Sequence, residues 1–134
     1  MLKFTTPLFV VLPRKTKADR KIIINLNNYR NWHYITSNNA KIKFKEEMQS
    51  QLEGLKLQTP ISITFTLFKK TKRISDRSNV LSIIEKFWCD AMVEHGCIED
   101  DNDNFIKASH YYSGGVDKDN PRVEVEIIEI KQIK

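Results

Sequence analysis

Apolar and polar residues alternate most regularly over residues 61–68. Ile61, Ile63, Phe65 and Leu67 fall on one side, and Ser62, Thr64 and Thr66 on the other. That period of two predicts a half-buried strand, opened by Pro60 and left through Lys69, Lys70, Lys72 and Arg73. Residues 122–131 repeat the pattern, with Val123, Val125 and Ile127 against Glu124 and Glu126, predicting an edge-like strand with one charged face. Residues 105–113 also read as strand. The turn signals from Gly114-Gly115 to Asn120-Pro121 predict an antiparallel hairpin between these last two strands. Nearer the start, residues 8–13 form a β-branched-rich strand closed by Pro13, and residues 22–26 a short one.

Two segments carry the longer period of a helix. Residues 40–55 follow the N-cap candidates Ser37, Asn38 and Asn39. Residues 77–95 place Val80, Ile84, Phe87, Trp88 and Ala91 on one contiguous arc, with Gly96 as the C-terminal cap. The order β-α-β-α-β-β predicts an α+β fold, a small mixed or antiparallel sheet of about four strands packed with two helices. At 134 residues the chain is expected to form one domain, residues 1–134.

Composition narrows the class. With 40% hydrophobic and 29% charged residues the chain has a globular balance, not a disordered one. No apolar run approaches the roughly 20 residues of a membrane span, and the apolar start is broken by Pro7 and Pro13 without a cleavage pattern, so a cytoplasmic protein is expected. Cys89 and Cys97 lack partners at zinc-ligand spacing and read as buried thiols in a reducing compartment. His33, His95 and His110 are scattered and form no nucleophilic triad.

The charge is segregated. Residues 1–73 hold fifteen Lys and Arg against four Asp and Glu, while residues 74–134 hold seven against thirteen. The basic half suits a polyanion; the acidic half would repel it unless screened, and a divalent cation reconciles the two. The alternative is that both halves are ordinary solvated surface. Residues 27–34, rich in amide, aromatic and basic side chains, suit either nucleic-acid contact or a polar loop with aromatic anchors.

The candidate chemistry lies between Asp76 and Asp101. At roughly 100° per residue Asp76, Asn79, Lys86 and Asp90 share one stripe of the second helix, interrupted by Ile83. Asp76 also suits a plain N-cap. The loop that follows holds Glu99, Asp100, Asp101 and Asp103 between Asn102 and Asn104, oxygen donors of the kind hard divalent cations take. It is no EF-hand, since Phe105 and Tyr111 stand where that loop needs Gly and Glu.

Asp76-Arg77-Ser78-Asn79, Lys86, Asp90-Ala91-Met92, Gly96 and Asp100-Asp101 together resemble the RusA-type Holliday-junction resolvases of bacteria and their phages. The resemblance is specific from Arg73 to Asn104. It implies a homodimer that uses Mg²⁺, or Mn²⁺, to hydrolyse phosphodiesters in branched DNA. Carried over, it makes Asp76, Asp90, Asp100 and Asp101 the metal ligands and Asp76, Asp100, Asp101 and Lys86 the catalytic set. Arg14, Lys15, Lys17, Arg30, Lys70, Lys72, Arg73 and Asn79 are the candidate DNA contacts. Ser78 stands where the family has a second aspartate. Asn79 and Asp90 are also four residues farther apart than the family pattern, which adds roughly 6 Å between Asp76 and Lys86. A branched-DNA-binding module with impaired catalysis is the alternative.

Overall fold

The computed structural model describes residues 1–73 and 75–130. The strands are β1 (Leu2–Thr6), β2 (Phe9–Leu12), β3 (Arg20–Ile23), β4 (Ile61–Lys69), β5 (Ile106–Val116) and β6 (Arg122–Glu129). The helices are α1 (Leu26–Asn31), α2 (Tyr34–Leu52) and α3 (Arg77–Glu94). Four strands make one mixed sheet in the order β1-β6-β4-β5, and β2 and β3 pair separately. The fold is α+β, as the alternation of periods predicts.

The alternating strand behaves as its pattern requires. Ile61, Ile63, Phe65 and Leu67 are buried, and from β6 so are Val123, Val125 and Ile127. The two strands pair antiparallel, with Phe65 opposite Val125 and Ile63 opposite Ile127, so one face of the sheet is a continuous apolar floor. On it lie Trp88, Phe87, Ile84 and Leu81 of α3, and α2 packs beside α3 through Ala40, Phe44, Met48 and Leu52. Phe44 meets Phe87 edge-on at 5.6 Å, and Tyr29 of α1 meets the same ring at 6.3 Å. Burying each of Phe44, Phe65 and Phe87 stabilises the fold by about 1.5–3 kcal/mol.

Three expectations need correcting. β5 and β6 do not form a hairpin: β4 lies between them, parallel to β5 and antiparallel to β6. β6 is therefore an interior strand, and its apolar face completes the floor between β1 and β4. A period of two identifies a strand but not its neighbour. β5 also continues through Gly114 and Gly115, where the register with β4 shifts between Leu67 and Phe68. A Cβ on Gly114 would lie 2.6 Å from the Phe68 ring, so glycine is what lets the two strands approach.

The helix ends also have local causes. α2 starts at Tyr34, not at 40, because His33 caps it by accepting the Ile35 N–H. Leu26, expected to end a strand, and residues 27–31, expected as loop or contact segment, form α1, capped by Asn25. α3 ends as foreseen: Gly96 has φ +75°, its N–H donates to Val93, and Cys97 N–H donates to the Met92 carbonyl, a Schellman closure.

Candidate active-site cleft and nucleic-acid face

The Schellman turn reverses the chain so that the loop after α3 folds back along the helix. A cleft of about 310 Å³ results between the C-terminal half of α3, that loop and the first residues of β5. Glu85, Lys86 and Cys89 line it from the helix, Asp101 and Asp103 from the loop, and Lys107 and Ser109 from the strand. Asp101 and Lys86, chosen from the sequence, thus share one cavity.

The loop's acids are organised by their own backbone. Asp100 accepts the Asp101 N–H at 2.7 Å and the Asn102 side-chain amide at 3.1 Å. Asn102 in turn accepts the Asn104 N–H. The Asp101 carboxyl titrates above its ordinary value. Partial burial is the main cause, followed by its hydrogen bond with Asp100 and the charges of Asp100 and Asp90. Asp100, its neighbour in the loop, and Asp90, in the last turns of α3, thus both act on Asp101.

Asp76 lies elsewhere. It is the N-cap of α3, and its Oδ1 accepts both the Ser78 N–H at 3.0 Å and the Ser78 hydroxyl at 2.7 Å. Those two bonds, the hydroxyl's first, hold its carboxyl below its ordinary value, with smaller help from Arg77 and Lys69. Fourteen residues of helix separate it from Asp90, an axial rise of ~21 Å. Among the described residues no three His, Cys, Asp or Glu side chains are grouped as a metal site. Asp101 shares the cleft with Lys86 and feels the charges of Asp100 and Asp90, while Asp76 does not line that cleft.

Asn79, a candidate DNA contact, has an internal role. Its Oδ1 accepts the Asn27 N–H at 3.2 Å, satisfying one of the unpaired donors in the first turn of α1. The basic candidates lie on three separate segments. Lys15 and Lys17 are exposed on the loop between β2 and β3, where Arg14 clamps the Ala18 carbonyl at 2.8 Å. Arg30 is exposed in the last turn of α1, and Lys70, Lys72 and Arg73 follow β4.

Sequence reasoning missed Glu85. It lies about 180° around the helix from Asp76, off the polar stripe, yet its carboxylate accepts the Tyr111 hydroxyl and borders the cleft. Only the placement of β5 beside α3 makes that contact. Burial, with the bond to Glu85 and its charge, pushes the Tyr111 phenol well above its ordinary range. Cys89 forms the cleft floor as a free thiol, held protonated by burial and by the charges of Glu85, Asp101 and Asp90. Cys97 is likewise free and buried, with its Sγ 3.3 Å from the Leu52 carbonyl. No helix among the described residues is long and apolar enough to cross a membrane. No protein-family model and no curated protein matches this chain.

Proposed function

We propose that this chain is a metal-dependent endodeoxyribonuclease that cuts four-way or related branched DNA, as the resemblance to RusA-type resolvases implies. The observation that carries the reading is the shared cleft of Asp101 and Lys86, with Asp90 and Asp100 crowding Asp101 electrostatically. A carboxylate whose charged form is disfavoured by its neighbours gains when a cation joins them. Mg²⁺ needs only one or two carboxylates besides water and phosphate oxygen, so Asp101 and Asp100 suffice chemically as donors, with Asp90 in support. A bound Mg²⁺ or Mn²⁺ supplies an acidified water and offsets phosphate charge.

The chain's own residues supply the rest. Lys86 and Lys107 offer the cleft two ammonium groups that would hold a phosphate against the acids. The exposed lysines and arginines of the first half fix the DNA arms through their backbones, selecting shape over sequence. A homodimer suits a two-fold junction because paired nicks then come from equivalent sites. It also offers a place for Asp76, which does not line the cleft of its own chain: a two-fold partner would bring its own Asp76 to the acidic loop.

The test is a synthetic four-way junction incubated with the protein and Mg²⁺. Symmetric paired nicks, lost in Asp101→Asn, are expected; nicks that persist unchanged in that variant would sink the reading. A second reading, binding without cleavage, is favoured by the commitment of the Asp76 carboxylate to Ser78. Junction binding with no cut under any divalent ion would select it.

A further inference from the structure

A second cavity of about 370 Å³ opens where the β2–β3 hairpin meets the ends of β4 and of the turn between β5 and β6. Its floor is apolar: Leu8, Phe9, Ile23 and Pro121. Phe9 and Ile23 face each other across the hairpin and are 38% and 49% exposed, so their apolar surfaces are open to a ligand. Three lysines rim the floor, Lys21, Lys70 and Lys118, against one acid, Asp119. Lys21 Nζ sits 4.2 Å from the centroid of the Phe9 ring.

We propose that this cavity takes one unpaired nucleotide of a DNA strand. The base would take the place of the Lys21 ammonium over Phe9 and lie against the neighbouring apolar floor, with its flanking phosphates on Lys21, Lys70 and Lys118. The chemistry is that of single-strand recognition, in which an aromatic platform binds any base and cations track the backbone. A purely apolar partner would not call for three ammonium groups, and a duplex presents no free base face to the floor. Lys21 and Lys118 are also far apart in the sequence, on β3 and after β5, so only the fold gathers this cation set. The inference rests on the branched-DNA reading, because a junction opened at its centre exposes such nucleotides.

The experiment compares three probes on the full chain: a ten-nucleotide oligothymidylate, a ten-base-pair duplex, and a four-way junction with one 2-aminopurine nucleotide left unpaired at its centre. Wild type is expected to bind the oligothymidylate and change the 2-aminopurine fluorescence. Phe9→Ala should weaken oligothymidylate binding roughly tenfold, within the range a base–aromatic stack supports, and leave duplex affinity unchanged. Phe9→Tyr should restore binding, and a Lys70→Glu, Lys118→Glu pair should weaken it at unaltered circular dichroism. If wild type binds junctions but Phe9→Ala binds single strand as well as wild type does, this inference fails alone. Binding of single strand without junctions overturns the branched-DNA reading while the cavity's role stands. Failure to bind any of the three probes overturns both.

Discussion

The Tyr111 hydroxyl, on β5, donates its hydrogen to Glu85 Oε1 on α3, joining the edge strand of the sheet to the helix that walls the cleft. The bond fixes a carboxylate beside Lys86 that is free of any helix-capping duty. Tyr111→Phe is expected to lower stability by about 1 kcal/mol, since the half-buried Glu85 regains part of its hydration when the donor goes. Thermal melting reads that change. Ultraviolet titration reads the partner effect: the Tyr111 phenol should ionise only well above its ordinary value, and the variant should lose that late step.

Asp101→Asn separates function from folding. Its raised pKa means the folded state disfavours the carboxylate, so this residue's penalty grows as pH rises through its ordinary value and is absent below it. The amide should therefore leave the melting temperature at pH 7 unchanged or raise it by a degree or two, a gain on the order of a few tenths of a kcal/mol after solvent screening. Junction cleavage should fall at least a hundredfold. A variant that loses activity because it unfolds would contradict this.

Ser78→Ala should move the Asp76 pKa up toward its ordinary value, as carboxyl NMR would record. The sign follows from the depressed folded-state value: the stabilisation is present above the unfolded pKa and is lost as pH falls through the folded one. Wild type should thus exceed Ser78→Ala in stability at neutral pH, with the gap closing in acid. A gap that widens on acidification would mean the hydroxyl does not act through Asp76.

Mixing tests the dimer. Asp76→Asn and Asp101→Asn should each be inactive alone. If Asp76 serves the partner's loop, exchanged mixtures contain heterodimers with one intact site and nick a single strand of the junction. Sites complete within one chain would leave the mixture inactive. In parallel, the Lys15→Glu, Lys17→Glu pair should flatten the slope of log affinity against log salt by about two.

Legibility followed the range of the forces involved. β4, α3 and the Gly96 stop were readable because period and cap are properties of neighbouring residues. β1 was missed because its five residues gain their order from β6, with Leu2 opposite Ile127 at the far end of the chain. Pairing misled for the same reason, placing β5 beside β6 when β4 intervenes. In the site, Asp101 and Lys86 were visible from residue type and spacing. Glu85, Lys107 and the Lys21–Lys118 pairing were not, because each acquires its neighbours only when separate elements pack.

The position of β6 in the sheet has a consequence for biosynthesis. The strand that β1 and β4 both need at their side leaves the ribosome after all the others, so the apolar floor stays open until translation has passed Glu129. Before then α3 has α2, β4 and β5 to pack against, but not the Val123, Val125 and Ile127 that complete the floor. A chain stopped ahead of Arg122 therefore carries every residue of the cleft without the strand that finishes the sheet beneath it.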